Sequence, residues 1–361
     1  MQIPNLLQIQ IDPERILAGW KAALNNDAQR PPADIAAAMN ITEAELMAAR
    51  VGFGVVRLRS EWNAVLAALP GLHQVRAVTA NSCAVLETTG TYPTLQQMAS
   101  YFAMAGDGID LRLSLPYWDS AFAVVERNSS PGETVRSICF YGKNGALVHR
   151  IFLTSESSIS GFEELVEHFI HPCQSRTQIT ETSFGSAPTV PPEAVNKDLF
   201  LERWGAMKDT REFFSLLREF SLSRQDAFQL GESRFTRRLA AELLYGLLNS
   251  FVQRKIPVLL LVGHSACVQV YRGLLKSAGE SENEVMVRAA KIRGRFRKSA
   301  LATAWLVDKP TSKGVVRSLE LFDSASRPVA SVMAMAAEGA LSPSQWEALL
   351  FPLLHSHYAA S

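Results

Sequence analysis

The feature that most constrains this chain is that its two halves read alike. Leu111-Arg112-Leu113, then Asp119-Ser120-Ala121-Phe122-Ala123-Val124, then Val135-Arg136-Ser137-Ile138-Cys139-Phe140-Tyr141 follow one another in the first half. Gly294-Arg295-Phe296, Ala302-Thr303-Ala304-Trp305-Leu306-Val307 and Val316-Arg317-Ser318-Leu319-Glu320-Leu321-Phe322 follow in the same order in the second. The offset is 183 residues from Arg112 to Arg295 and 181 from Arg136 to Arg317, a drift that one short loop deletion explains. Upstream, Ser82-Cys83-Ala84-Val85-Leu86 matches Ala266-Cys267-Val268-Gln269-Val270 at an offset of 184. A period of half the chain is a duplication, because solenoid units run to only about 20–45 residues. With 361 residues, each half is large enough to be a domain.

Both halves present their elements in one order. Helix formers fill 35–50, and Asn40-Ile41-Thr42-Glu43-Ala44-Glu45-Leu46 carries a cap signature. A short helix over 62–69 stops at Pro70-Gly71. From Val75 onward the segments are short and β-leaning, with turn chemistry at Ser129-Ser130-Pro131-Gly132 and Lys143-Asn144-Gly145. Segments 136–141 and 146–153 flank the second turn as an antiparallel hairpin, and 162–170 closes the half as a helix. Residues 172–196 are rich in Ser, Thr and Pro and read as the inter-repeat linker. The second half restarts with amphipathic helices over 198–220, then helices over 223–230 and 236–251. Strands are expected at 257–262, 268–271 and 284–290, and a last helix at 344–357. Antiparallel strands with helices segregated to the ends predict an α+β fold. Two stacked halves, each an antiparallel sheet with packed helices, are expected over 1–171 and 197–361, joined by 172–196. Arg112 and Arg295 should then occupy corresponding strands, as should Arg136 and Arg317.

Composition removes several classes. A chain that is 47% hydrophobic and 20% charged is neither disordered nor fibrous. Thirty-six Lys and Arg against 35 Asp and Glu leave a net charge of +1, so no basic excess points to nucleic acid. The longest apolar stretch, 257–262, is far below the ~20 residues of a membrane helix, so no membrane insertion is expected. The first twenty residues hold Asp12, Glu14 and Arg15 and do not read as a secretory leader. Cys83, Cys139, Cys173 and Cys267 are scattered without a CxxC pair, which fits a reducing cytoplasm rather than a zinc cluster or disulfide framework. No dinucleotide fingerprint, phosphate loop, nucleophile elbow or zinc-protease motif is present.

Several clusters carry two readings. Glu164, His168 and His171 fall at i, i+4 and i+7. They are either part of a metal site or, more ordinarily, a solvated helix end with histidine at the C-terminal dipole. His355 and His357 read as an exposed pair near the chain end, and His149, beside Val148 and Ile151, as the polar face of the hairpin. Lys291, Arg293, Arg295 and Arg297 would line one face of a strand, with Lys298 extending the run. A solvated face is the ordinary reading, an anion-binding surface the second, and nucleic acid the last, since Phe296 alone interleaves.

Trp204-Gly205-Ala206-Met207-Lys208-Asp209-Thr210-Arg211-Glu212-Phe213-Phe214 resembles the helix that bears the axial histidine in bacterial haemin transport and haemin-degrading proteins. Leu222-Ser223-Arg224-Gln225-Asp226-Ala227-Phe228, Asp110-Leu111-Arg112-Leu113, Lys309-Pro310-Thr311-Ser312-Lys313-Gly314 and Ser318-Leu319-Glu320-Leu321-Phe322 are similar to blocks of that family. So are Asp34-Ile35-Ala36, Met39-Asn40-Ile41 and Glu43-Ala44-Glu45-Leu46. The resemblance spans nearly the whole chain, duplication included. It implies a pseudo-symmetric pair of α+β halves with haem held in a cleft of the C-terminal half. It also implies a cytoplasmic protein that carries haem, hands it to a haem oxygenase or, for some members, opens the ring.

Taken residue by residue, the resemblance implies an altered site. The axial histidine falls at Arg211, whose guanidinium has no lone pair for iron. A second histidine of some members falls at Leu86, and the family's Gln, Tyr and Arg of the last strands fall at Ser331, Met333 and Ala336. Arg112, Arg224 and Lys309 remain as cations suited to propionate carboxylates, and Arg295 joins them as the repeat counterpart of Arg112. His264, where the family carries Asn, is the candidate iron ligand; a hydrogen-bonded strand-end histidine is its ordinary alternative. Met207 and Met333 are soft candidates whose ordinary role is packing, and Cys83 and Cys267 read as small buried hydrophobes.

The expected function is therefore a cytoplasmic haem-binding or haem-trafficking protein of bacterial iron acquisition, with altered or weakened ligation. Its expected ligand is haem or another flat anion, and its partner a haem oxygenase or a membrane haem transporter. The alternative is a non-enzymatic regulatory or interaction protein on a scaffold that no longer binds haem. Ring opening ranks last, because oxygen activation needs a held iron and no proximal ligand is evident.

Overall fold

The computed structural model describes residues 12–28, 30–98, 101–106, 108–127, 134–181, 189–336 and 339–360. The turn at Ser129-Ser130-Pro131-Gly132, the first eleven residues of the expected non-leader and 182–188 of the expected linker lie outside them.

In the first half the elements are α1 (Pro13–Asn26), α2 (Pro32–Ala38), α3 (Glu43–Ala49), β1 (Val55–Leu58), α4 (Trp62–Ala68), β2 (His73–Ala80) and β3 (Ala84–Thr91). They continue as β4 (Gln96–Gln97), β5 (Phe102–Met104), β6 (Leu111–Leu113), β7 (Trp118–Arg127), β8 (Thr134–Gly142), β9 (Leu147–Ser157) and α5 (Ile159–Phe169). The second half runs α6 (Lys197–Gly205), α7 (Glu212–Glu219), α8 (Arg224–Leu230), β10 (Thr236–Leu239), α9 (Leu243–Gln253), β11 (Val258–His264) and β12 (Cys267–Gly273). It ends with β13 (Ser277–Glu280), β14 (Glu284–Arg288), β15 (Ile292–Arg297), β16 (Leu301–Thr311), β17 (Gly314–Asp323), β18 (Pro328–Ala336) and α10 (Pro343–Ala360). The fold is α+β and internally duplicated. Arg112 and Arg295 sit on β6 and β15, the sixth strand of each half, and Arg136 and Arg317 on β8 and β17, the eighth.

Strand register makes the repeat quantitative. Phe122 opposes Cys139, which opposes Arg150, across β7, β8 and β9. Trp305 opposes Glu320, which opposes Ser331, across β16, β17 and β18. One further pair of rungs, Glu126 against Val135 and Lys309 against Val316, extends the match. A one-residue slip would send every side chain to the wrong face, so agreement over several rungs is stringent.

The chain forms two compact units. Unit 1 holds the antiparallel order β1-β7-β8-β9-β2. Its helix α3 opens with the expected capping box, Thr42 accepting from Glu45 N while Glu45 bonds back to Thr42. Gly145 completes the β8–β9 turn at φ +72°, a conformation that glycine adopts without a Cβ penalty. Residues 174–178 are fastened beside β1. Gln174 exchanges hydrogen bonds with the Arg57 backbone at 2.9 and 3.0 Å, and the Arg57 guanidinium donates to Gln178 Oε1 and Thr177 O.

Unit 2 holds β10-β16-β17-β18-β11-β12 and also β3-β15-β14-β13. It takes two segments from the first half of the sequence, Thr79–Thr89 and Asp107–Arg112. Asn81 donates to Gly263 O and Val329 O, both at 2.8 Å. Fully buried Gln269 accepts from Thr79 and donates to Thr88, each at 2.8 Å. These side chains key the borrowed segment into place.

Two expectations need correction. The sequence predicts one helix over 236–251, but Thr236–Leu239 is the strand β10, paired with β16. β-branched Thr236 is buried and its hydroxyl donates to Phe228 O, so tertiary pairing overrides the helical spacing. His149 is not on a polar face: it is 1% exposed, with Nε2 at 2.5 Å from the Tyr92 hydroxyl. Val148 beside it is buried too, so β9 is covered on both faces there.

Candidate functional site

The site is built where α7 and α8 meet β16 and β17 of unit 2. Its floor is aromatic. Trp204, Phe213, Phe228, Trp305 and Phe322 are buried in one cluster, with the Trp204 ring 4.7 Å from Phe213 and 5.2 Å from Phe235. Each such burial contributes about 1.5–3 kcal/mol, so the cluster fixes both helices to the sheet. Trp204 also donates to Asp308 O at 3.0 Å, tying α6 to β16 one residue before Lys309.

Cations reach this floor from two directions. Ser223 caps α8, its Oγ accepting from Asp226 N at 3.1 Å, which leaves Arg224 as the first helical residue. A cation at a helix N-terminus opposes the dipole, so Arg224 needs a counter-charge. Glu320 on β17 supplies it at 3.3 Å. Lys309 on β16 reaches the other oxygen of the same carboxylate at 2.8 Å, and Ser318 donates to that oxygen at 2.9 Å. Glu320 is 3% exposed, Lys309 13% and Arg224 24%, so the acid lies inside and the cations nearer water. Burial alone would raise the Glu320 pKa; Lys309 and Arg224 outweigh it and hold the carboxyl below its ordinary range. Each cation also lies over a ring, Lys309 at 5.4 Å from Phe213 and Arg224 at 5.2 Å from half-exposed Phe214.

Arg211 stands at the N-cap of α7, largely exposed. Its guanidinium forks onto Asp209, Nε to Oδ1 at 2.9 Å and Nη2 to Oδ2 at 2.8 Å. The Arg211 side-chain and backbone hydrogen bonds pull the Asp209 carboxyl down to about 2. Ser312 N donates to Lys208 O at 2.9 Å, fastening this loop to the β16–β17 turn.

The model of the haemin-degrading HemS.ChuX domain matches the chain twice, over residues 40–169 and 221–353. This chain belongs to that family. The two matches begin 181 residues apart, the same offset as Arg136 to Arg317. Among curated relatives, the hemin transport protein HmuS of Yersinia pestis is 32% identical over 332 residues, covering 91% of this chain and 94% of that protein. Holo-PhuS, a heme-binding protein from Pseudomonas aeruginosa, superposes with a TM-score of 0.88 at 28% identity, covering 94% of this chain and 98% of that one. The heme degrading enzyme ChuS of Escherichia coli O157:H7 gives 0.86 at 25% identity, covering 94% and 99%.

In this HemS.ChuX-domain chain the other sequence candidates are engaged locally. The Arg112 guanidinium bonds Asp110 and the Leu111 carbonyl. Arg295 is half-exposed and lies 3.8 Å from Glu87. Arg293, Arg295 and Arg297 do share the exposed face of β15, alternating with buried Ile292, Gly294 and Phe296. His264 ends β11, and its Nδ1 accepts from Ala266 N at 3.2 Å, within the β11–β12 turn. Met207, Cys83 and Cys267 are buried, and burial pushes the Cys267 thiol up to about 12. His168 is on α5 but His171 lies beyond its end, bonded to the Cys173 backbone, so the three residues 164, 168 and 171 do not share one helix face. Among the described residues no group of three or more His, Cys, Asp and Glu is placed to hold a metal ion. No helix among them is long and apolar enough to cross a membrane.

Glu320, Phe213, Phe214 and Asp209 escape a reading by residue type. The available signal is an acid at the centre of the apolar strand Leu319-Glu320-Leu321-Phe322, which demands a buried partner.

Proposed function

We propose that this chain binds and carries haem, holding the ring's carboxylates and face in unit 2 with altered ligation of the iron. The observation that carries the reading is the convergence of Arg224 and Lys309, each above a phenylalanine ring, on a water-facing edge of the aromatic cluster. Family membership and the names of HmuS and PhuS support haem as the cargo. Charge-assisted contacts to propionates suit these cations, and ring stacking suits Phe214.

An iron bond at position 211 does not fit the residues present. Arg211 has no lone pair to give and is forked onto Asp209. With Nδ1 of His264 accepting from Ala266 N in the β11–β12 turn, the neutral ring carries its proton on Nε2, and neither nitrogen offers iron a lone pair. We therefore assign binding to charge and stacking, with Arg224 and Lys309 as the first residues and Arg112, Arg211 and Arg295 as outer cations. Delivery to a haem oxygenase or from a membrane haem transporter, in the cytoplasm, completes this reading. Haem degradation, which the name of ChuS attaches to that protein, ranks behind carriage for this chain. One observation favours the second reading, a regulatory scaffold without haem: Glu320 and Asp209 already accept from Arg224, Lys309 and Arg211.

Haemin titration followed at the Soret band separates the two. Saturable binding that weakens in Arg224→Ala and Lys309→Ala, with a flatter salt dependence, is expected. Arg211→His should add a histidine-type spectrum. Haemin that leaves the parent chain's spectrum at the free-haemin form would overturn the haem-binding reading and favour the scaffold reading instead.

A further inference from the structure

We propose that Glu320 sets the charge of the unit 2 site and thereby its affinity for a dianionic ring; this rests on the haem-binding reading above. Glu320 contacts both Arg224 and Lys309, and these three charges sum to +1. Glu320 is buried behind two cations that lie nearer water, so an arriving carboxylate meets the cations first and feels the acid through them. The site accepts an anion because one positive charge is left over, and Glu320 keeps that surplus at one.

The duplication provides an internal control. By register, Cys139 occupies in unit 1 the place of Glu320, and Glu126 that of Lys309. The caps Thr42 and Ser223 likewise place Glu43 where unit 2 has Arg224. The signs are exchanged. Glu43 pairs with Arg150 and accepts from the buried Tyr141 hydroxyl at 3.0 Å, while Arg150 Nε donates to Cys139 Sγ at 3.1 Å. Glu126 pairs with Arg50, whose guanidinium lies 4.1 Å from the Trp20 ring. Two acids and two bases close to neutrality there. Unit 2 builds the same frame with one acid for two bases, and it backs them with a half-exposed phenylalanine. The frame itself therefore does not require the surplus charge; the surplus marks unit 2 alone.

The test uses the full chain and metal-free protoporphyrin IX, read by fluorescence, with its dimethyl ester as the uncharged control. Glu320→Gln raises the local sum to +2 and should bind the dicarboxylate about tenfold more tightly at low salt, with a steeper salt dependence and unchanged ester binding. Lys309→Gln lowers the sum to zero and should lose binding by a similar factor. The double variant Lys309→Gln with Glu320→Gln restores +1. It should bind more tightly than Lys309→Gln by about the factor that Glu320→Gln gains over the parent, while the lost Lys309 contact keeps it below Glu320→Gln, and with Lys309 and Glu320 both neutral it keeps the comparison available should Glu320→Gln alone fail to fold. Thermal melts verify folding. Parent-level binding in Glu320→Gln, or a double variant as weak as Lys309→Gln, overturns the charge-setting role while leaving haem binding intact. A parent chain that binds neither haemin nor protoporphyrin overturns the functional reading and this inference with it.

Discussion

Replacing Lys309 by methionine keeps an unbranched apolar stem and removes the ammonium from both Glu320 and the face of Phe213. The pair spans 2.8 Å and its members are 13% and 3% exposed, so it is buried rather than screened. Removing one partner of a buried pair costs about 3–5 kcal/mol, but Arg224 stays 3.3 Å from the carboxylate, so about 2 kcal/mol is expected at pH 7. For units of this size that lowers the melting temperature by roughly 4–8 °C. The pH dependence identifies the cause. In the parent, the folded pKa of Glu320 lies below its unfolded value, so its contribution is complete above about pH 5 and is lost as pH falls through the folded pKa. In Lys309→Met, burial regains weight and the carboxyl takes up its proton earlier. The deficit of the variant should thus be largest near neutrality and shrink steadily below about pH 5. Urea denaturation of parent and variant from pH 7 to pH 3.5 measures it. A deficit that is constant over that range would mean lost packing alone, and the charge argument would be refuted.

Other perturbations reach the rest of the fold. Gly145→Ala places a Cβ 2.4 Å from Thr42 Oγ1 at a φ of +72°, and should cost about 1–3 kcal/mol in a thermal melt. Arg57→Ala releases Gln178 and the Thr177 carbonyl, so limited proteolysis should open residues 174–178 faster while unit 2 is cut at the parent rate. Gln269→Leu strands the Thr79 and Thr88 hydroxyls in a buried site and should destabilise by about 2–3 kcal/mol in urea denaturation. Native chain should react with a thiol reagent at exposed Cys173 alone, while buried Cys83, Cys139 and Cys267 react only on unfolding.

The duplication was legible because its repeated blocks code for long strands with a period of two, and β7–β8 and β16–β17 keep their register as well as their sequence. The short strands β1 and β10 were not legible. Four residues give no period, and Arg237 and Arg238 in β10 carry no strand signal. Placement of Thr79–Thr89 in unit 2 could not be read either, since an apolar strand pattern does not name its neighbour. That choice is made by Asn81, Thr79 and Thr88, whose partners lie about 180–250 residues away in sequence. At the site, Arg224 and Lys309 were visible as cations, but their common counter-ion was not. Glu320 is 96 residues from Arg224, and only the fold brings them together.

Duplication explains how such a site can be carried without loss of the fold. A net charge beside an aromatic core opposes stability unless water or a ligand balances it. In unit 1 the same frame closes on itself: Glu43, Arg150 and Tyr141 satisfy one another under the capped start of α3, and Arg50 answers Glu126. Unit 2 departs from that closure at a few corresponding positions, with Arg224 for Glu43, Lys309 for Glu126, Glu320 for Cys139 and Ser331 for Arg150. The backbone frame is indifferent to these exchanges, because the helix cap and the strand register are both retained. What changes is the sign and balance of the charge the frame presents. A neutral copy and a cationic copy of one architecture are what a chain needs if one half is to hold the fold and the other an anionic ring.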